Sequence, residues 1–261
     1  MTGKVYLVGA GPGDPELLAV KAVGLLRTAD TVLHDDLVSQ EVLNLISIKT
    51  EVRNVGKRCG NKKISQAEID FLMIEFARQG KKVVRLKSGD PLIFGRLGEE
   101  IEALRRAEVD FEVVPGVTSA FGAAATAQIP LTHRHASSAL IMLTGHHAEE
   151  NEESDWRKFV ASGATLVIYM PGREYQTIAQ RLRRAGAYRD TPCAIISRAT
   201  ELDQQTFLTC IADLAEAPHL PAPTLLIVGD VVRFAAEFGA QHEQPTSGVQ
   251  AREARERNVL A

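Results

Sequence analysis

The sequence predicts an α/β chain of two lobes, with a mainly parallel sheet in the first, a mixed sheet in the second, and helices flanking both. Three observations carry this prediction. Short β-rich runs alternate with longer helical patterns through the first half. The pattern restarts after Pro115 and Gly116, and two runs in the second half, 194–197 and 205–209, are joined by a connection too short for a crossover. At 261 residues the chain can form one large domain or two smaller ones, so a cleft between lobes is an allowed arrangement.

In the first lobe, 1–115, the candidate strands are 4–8, 31–34, 51–55, 82–87 and 111–114. The clearest helix begins at Ser65, where Ser65 and Glu68 make a capping box, and it sets Ile69, Leu72, Met73 and Phe76 on one face. Gly80 ends it, as glycine does just past a helix terminus. The second lobe, 116–239, opens on an Ala-rich helix over 118–127 and continues with strands at 139–143, 165–170, 194–197, 205–209 and 224–228. The pair 194–197 and 205–209 is expected to form an antiparallel hairpin. Beyond Phe238 the chain turns polar with no sustained apolar face, so 240–261 is expected to be a mobile tail.

Apolar residues make up 45% of the chain and charged residues 24%, which excludes disordered and fibrous classes. Cys59, Cys193 and Cys210 are odd in number and far apart, so neither a disulfide framework nor a zinc site is expected. The strand-like run 4–8 leaves no room for a secretion signal, and no stretch has the roughly 20 apolar residues of a membrane span. A cytoplasmic protein without a membrane partner is expected. The net charge of −3 means that an anionic partner must be drawn by a local patch. Lys57, Arg58, Lys62, Lys63, Lys81, Lys82, Arg85 and Lys87 form such a patch, with Arg96 beyond it; solvated surface cations account for most of them. Without interleaved aromatic residues the patch is not a nucleic-acid platform.

In open α/β sheets ligands bind beyond the carboxyl ends of the strands. The loops there are rich in Gly, Pro and Asp: 9–14 (GAGPGD), 34–39 (HDDLVS), 56–60 (GKRCG), 87–91 (KSGDP) with 94–96 (FGR), and 115–119 (PGVTS). Each alone is ordinary turn chemistry. Five on one edge predict an active-site rim. The first loop has Asp14 where a dinucleotide fingerprint needs its third glycine, so a nicotinamide cofactor is not expected.

Residues 5–18 (VYLVGAGPGDPELL), 83–96 (VVRLKSGDPLIFGR) and 113–120 (VVPGVTSA) closely resemble the uroporphyrinogen-III C-methyltransferases of the tetrapyrrole methylase family. Runs 129–134 (IPLTHR), 165–170 (TLVIYM) and 225–229 (LLIVG) extend the likeness in order and spacing. The resemblance implies a two-lobed fold, a homodimer, S-adenosylmethionine as methyl donor without a metal, and a reduced tetrapyrrole as substrate. Carried over by position, it implies cofactor contacts at Pro12, Ser88, Gly89, Asp90, Ile93, Thr118, Ser119, Met170 and Ala199.

The resemblance also implies Asp35 as the base that takes the proton released by carbon methylation, and Lys57 as proton donor. A substrate bearing eight carboxylates needs cationic contacts, for which Arg96, Arg134, Lys57 and Arg58 are the candidates, with Glu99 orienting Arg96. Other readings exist for single residues. Asp35 could be a turn carboxylate, Ile93 core, Asp90 a cap for the helix leading toward Glu99, Met170 a gap-filling core residue, and Arg96 with Glu99 an exposed helical ion pair three residues apart. Asp35 and Asp36 are adjacent, and in an extended segment only one of them would face the cleft.

Several positions depart from the family pattern. Ser88, Leu97 and Ala199 stand where glycine is usual, Thr126 and Gln128 replace Tyr and Gly, and the run 132–136 is one residue short. Ser88 and Ala199 could narrow the cofactor pocket. The others could reshape the tetrapyrrole floor, which leaves open a methylase of another tetrapyrrole intermediate or a non-catalytic tetrapyrrole-binding relative.

Overall fold

The computed structural model describes residues 3–56, 64–145 and 153–235, with residues 153 and 154 described by backbone alone. Lys57, Arg58, Cys59, Lys62 and Lys63, and the expected tail 240–261, lie outside the described residues.

The first sheet is built from β1 (Lys4–Gly9), α1 (Val20–Thr28), β2 (Thr31–His34), α2 (Gln40–Leu43), β3 (Glu51–Asn54), α3 (Gln66–Arg78), β4 (Lys82–Lys87), α4 (Leu97–Arg106) and β5 (Phe111–Val114). Its order is β3-β2-β4-β1-β5, and every strand pair is parallel. Side chains alternate across the sheet with the strand period of two. Val8, Val32, Val84 and Leu86 pack beneath α1 and α2, whereas Leu7, Leu33 and Val83 meet α3 and α4. The Ser65 and Glu68 capping box is present, and Gly80 follows α3 with φ 82°.

The second sheet contains β6 (Leu140–Thr144), β7 (Thr165–Tyr169), β8 (Pro192–Ser197), β9 (Gln205–Cys210) and β10 (Thr224–Val228), in the order β6-β7-β10-β8-β9. Only β6 and β7 pair in parallel; the expected hairpin is the antiparallel pair β8 and β9. β8 starts two residues earlier than expected, at Pro192, a place proline can take because the first residue of a strand need not donate. One face packs on α6 (Glu153–Ala161) and α7 (Tyr175–Arg184) through Trp156, Tyr175, Ile178 and Leu182. The other packs on α5 (Ser119–Thr126), whose Ala120, Ala123 and Ala124 let the helix lie close to the strands. Among the described residues, no helix is long and apolar enough to cross a membrane.

Candidate active site

The strands of the first sheet end almost level. Gly9 lies beside Lys87, Val8 beside Val114, and His34 beside Leu86, so the loops that follow share one rim. Facing that rim is the second lobe, and between them lies a cavity of about 290 Å3. All five loops contribute to its lining, from Pro12, Asp35 and Gly56 to Asp90 and Thr118.

Close backbone packing holds the rim together. Gly11 N–H donates to the Gly89 carbonyl at 3.1 Å, and Gly89 N–H donates to the Gly11 carbonyl at 2.8 Å. A Cβ on Gly116 would lie 2.5 Å from the Gly89 carbonyl oxygen, so only glycine permits this approach. Asp90 secures the same joint: its Oδ1 accepts Leu92 N–H at 2.7 Å and its Oδ2 accepts Gly116 N–H at 2.9 Å. It does not cap the helix leading toward Glu99. That cap position belongs to Arg96, in a left-handed conformation.

Tyr169, Met170, Ile196, Ala199 and Leu225 form the opposing wall. The Tyr169 hydroxyl lies 2.6 Å from Thr118 Oγ1, and its ring stands 5.0 Å from that of Phe94. Burial pushes the pKa of this phenol up. Met170 is 48% exposed at φ 50°, so it is not a core residue: the left-handed turn breaks the strand alternation and sets it at the cavity wall. The first loop bridges the lobes. Pro12 lies against Gly122 of α5, where a Cβ would meet its Cγ at 2.7 Å, and Asp14 N–H donates to Thr200 Oγ1 at 3.1 Å.

Beneath the other end of the cavity is a buried ionic cluster. Arg85 Nε donates to Glu100 Oε1 at 3.0 Å, Lys87 Nζ donates to the same oxygen at 2.9 Å, and a terminal nitrogen of Arg85 donates to Asp35 Oδ1. Arg85, Lys87 and Glu100 are buried, and the Asp35 side chain is about one-third exposed. Burial, then the neighbouring Arg85 charge, lowers the pKa of Lys87. Burial also opposes the Arg85 charge, but Asp35 and Glu100 together outweigh it and raise its pKa.

Residues 4–215 match the family model of the Tetrapyrrole (Corrin/Porphyrin) Methylases. The chain belongs to this family. It is 45% identical over 244 residues to the S-adenosyl-L-methionine-dependent uroporphyrinogen III methyltransferase of Methanosarcina barkeri, covering 92% of this chain and 96% of that one. It is 46% identical over 245 residues to the siroheme synthase of Photorhabdus laumondii, covering 92% of this chain and 52% of that protein. The chain thus spans about half the length of the siroheme synthases it matches. The crystal structure of uroporphyrin-III C-methyltransferase from Thermus thermophilus complexed with S-adenyl homocysteine aligns with a TM-score of 0.77 at 38% identity, covering 88% of this chain and 99% of that one.

The fold places Pro12, Ser88, Gly89, Asp90, Ile93, Thr118, Ser119, Met170 and Ala199, and also Asp35, around this cavity. Arg96 and Glu99 are not in its lining. They face solvent and grip each other, Nε to Oε1 at 2.8 Å and a terminal nitrogen to Oε2 at 2.5 Å. Arg134 is also outside the lining, in an exposed turn between the bridged residues His133 and Ser137. Both Asp35 and Asp36 border the cavity, because the chain turns after β2 and extended alternation no longer applies. Of the departures from the family pattern, Ser88 and Ala199 line the cavity, whereas Leu97 is buried in the core of the first lobe.

Arg85 and Lys87 are not the surface cations that the basic patch suggested. A signal for this was present: a central strand of a parallel sheet is buried on both faces, so cations within it need buried partners. Tyr169 and Glu201 also border the cavity and were not picked out from the sequence.

Proposed function

We propose that the chain transfers methyl groups from S-adenosylmethionine to ring carbons of uroporphyrinogen III, yielding precorrin-2 in siroheme or cobalamin-type biosynthesis. The observation that carries this reading is the cavity lined by Pro12, Gly89, Asp90 and Thr118 on one side and by Met170 and Ala199 on the other. The donor set suits the cofactor. Ile93, Met170 and Leu225 offer an apolar cradle for adenine and thioether, and Thr118, Ser119 and Ser88 offer hydroxyls. When bound, S-adenosylmethionine supplies an electrophilic methyl group.

A reduced tetrapyrrole provides electron-rich carbons itself, so the chain's main task is alignment. Asp35 takes the proton that the macrocycle loses, at another of its positions, to balance each carbon methylation, and Lys57, outside the described residues, is the matching donor for proton shifts within the ring. Arg96, oriented by Glu99, and Arg58 receive the substrate carboxylates; Arg134, in the turn that Ser137 ties to the start of β7, is proposed for the same role on the resemblance alone. In this reading 1–115 and 116–239 are the two functional lobes, and the chain works as a cytoplasmic homodimer.

Anaerobic incubation with uroporphyrinogen III and labelled S-adenosylmethionine, followed by mass analysis, tests the proposal. The expected product is a tetrapyrrole carrying label and heavier by one or two methyl groups. Label transfer to another tetrapyrrole but not to this one would replace the substrate, and no transfer together with no cofactor binding would end the reading.

A further inference from the structure

The ionic cluster beneath Asp35 is not needed to fill space. Val83, Arg85 and Lys87 share one face of β4, the face that α3 and α4 cover, and at Val83 that face is filled by ordinary apolar packing. Replacing a buried ion pair by apolar residues of similar size is often neutral or stabilising, so stability alone does not account for two cations and an anion here. Their geometry does. Arg85 sends Nε–H to Glu100, one terminal nitrogen to the carbonyls of Leu33 and Leu86 at 3.4 and 3.3 Å, and the other to Asp35. Glu100 Oε1 also accepts from Lys87, and from the Gln66 amide at 3.5 Å. The guanidinium is thereby held in one orientation, with its outer edge on the only member of the cluster that borders the cavity.

We propose that Glu100 and Lys87, neither of which lines the cavity, are positioning residues that act through Arg85 to set the orientation and electrostatic surroundings of the Asp35 carboxylate. This rests on the reading of Asp35 as the base. Arg85 and Lys87 against Glu100 leave one net positive charge behind Asp35. At short range in a poorly solvated site, altering that balance changes how readily the carboxylate takes a proton. Other titratable or charged groups nearby are His34 and Asp36 flanking Asp35, Asp90 and Glu201 at the cavity wall, and Asp70, Arg96 and Glu99 on the far side of Glu100. All of these are unchanged in the variants below, so differences report on Glu100 and Lys87.

The test is the pH profile of turnover in Glu100→Gln and Lys87→Met, measured with KM and with the affinity for S-adenosylhomocysteine. Glu100→Gln adds to the positive charge behind Asp35 and is expected to move the acid limb to lower pH; Lys87→Met removes positive charge and is expected to move it to higher pH. Each shift should be about one unit or less. In both, kcat should fall at least about tenfold, within the range that a well-placed base contributes, while cofactor affinity and KM stay within about threefold. The double variant Glu100→Gln/Lys87→Met removes one charge of each sign, so its acid limb should return toward the parental position. If one single variant fails to fold, the other and the double variant decide.

Limbs that do not move, or that move in the same direction in both single variants, would overturn the proposal, as would parental kcat in folded protein. Asp35→Asn separates the two possible failures. Parental turnover in that variant defeats the reading of Asp35 as base, whereas lost turnover with unmoved limbs in the cluster variants defeats only the positioning role.

Discussion

The hydroxyls of Tyr169 and Thr118 lie 2.6 Å apart, which ties the end of β7 to the residue that precedes α5 at the floor of the cavity. Tyr169 also accepts Ala120 N–H at 3.4 Å, so one phenol serves two groups at the start of that helix. In Tyr169→Phe the Thr118 hydroxyl loses its partner in a buried setting, at an expected cost of about 1–3 kcal/mol. Chemical denaturation should show the lower midpoint, and calorimetry a weaker affinity for S-adenosylhomocysteine. An unchanged midpoint would mean that Thr118 finds another partner.

Asp35→Asn keeps the size of the side chain but cannot take a proton. Turnover of uroporphyrinogen III is expected to fall roughly 10²- to 10⁴-fold, with little change in cofactor affinity. Asp36 borders the same cavity and is engaged by the Asn54 amide at 3.0 Å, so Asp36→Asn is the matched comparison. A loss confined to Asp36→Asn would transfer the role to that residue.

Gly116→Ala would press a methyl group to 2.5 Å from the Gly89 carbonyl oxygen, with backbone on both sides and no flexible side chain to give way. Overpacking of this kind costs about 1–3 kcal/mol. Because the strain falls on the joint between the first, fourth and fifth loops, cofactor affinity should drop as well as melting temperature. A variant with parental values of both would show that the joint has slack.

Arg96 is exposed and already held by Glu99, so Arg96→Ala should change stability by no more than about 0.5 kcal/mol. Its effect is expected on the tetrapyrrole, where loss of a charged hydrogen bond is worth about 1.5–3 kcal/mol in kcat/KM. Affinity for S-adenosylhomocysteine should not change. Equal kcat/KM in variant and parent would place Arg96 outside the substrate site.

Much of this architecture was legible in the chain itself. The alternation of strand and helix, the capping box at Ser65 and the short link between β8 and β9 are local signals, set by hydrogen bonding and periodicity within a few residues. They carried the parallel first sheet and the mixed second sheet. The rim was legible for the same reason, since loops rich in Gly, Pro and Asp after consecutive parallel strands must emerge on one edge. The family motifs then named residues that the fold gathers around one cavity.

Tertiary structure decided what depends on contacts between distant segments. Whether Arg85 and Lys87 meet solvent or Glu100 depends on α4 packing over β4, which no local pattern encodes. Whether Asp36 faces away from Asp35 depends on where β2 stops being extended, and it stops one residue too soon for alternation to separate them. Met170 leaves the core because its backbone turns left-handed at the end of β7. Arg96, Glu99 and Arg134 had the right chemistry for a carboxylate-rich ligand, but their distance from the cavity lining is a property of the folded surface. Residue type and spacing determined which groups were available; the packing of the two sheets and their helices determined which of them share a dielectric environment and can act on one another.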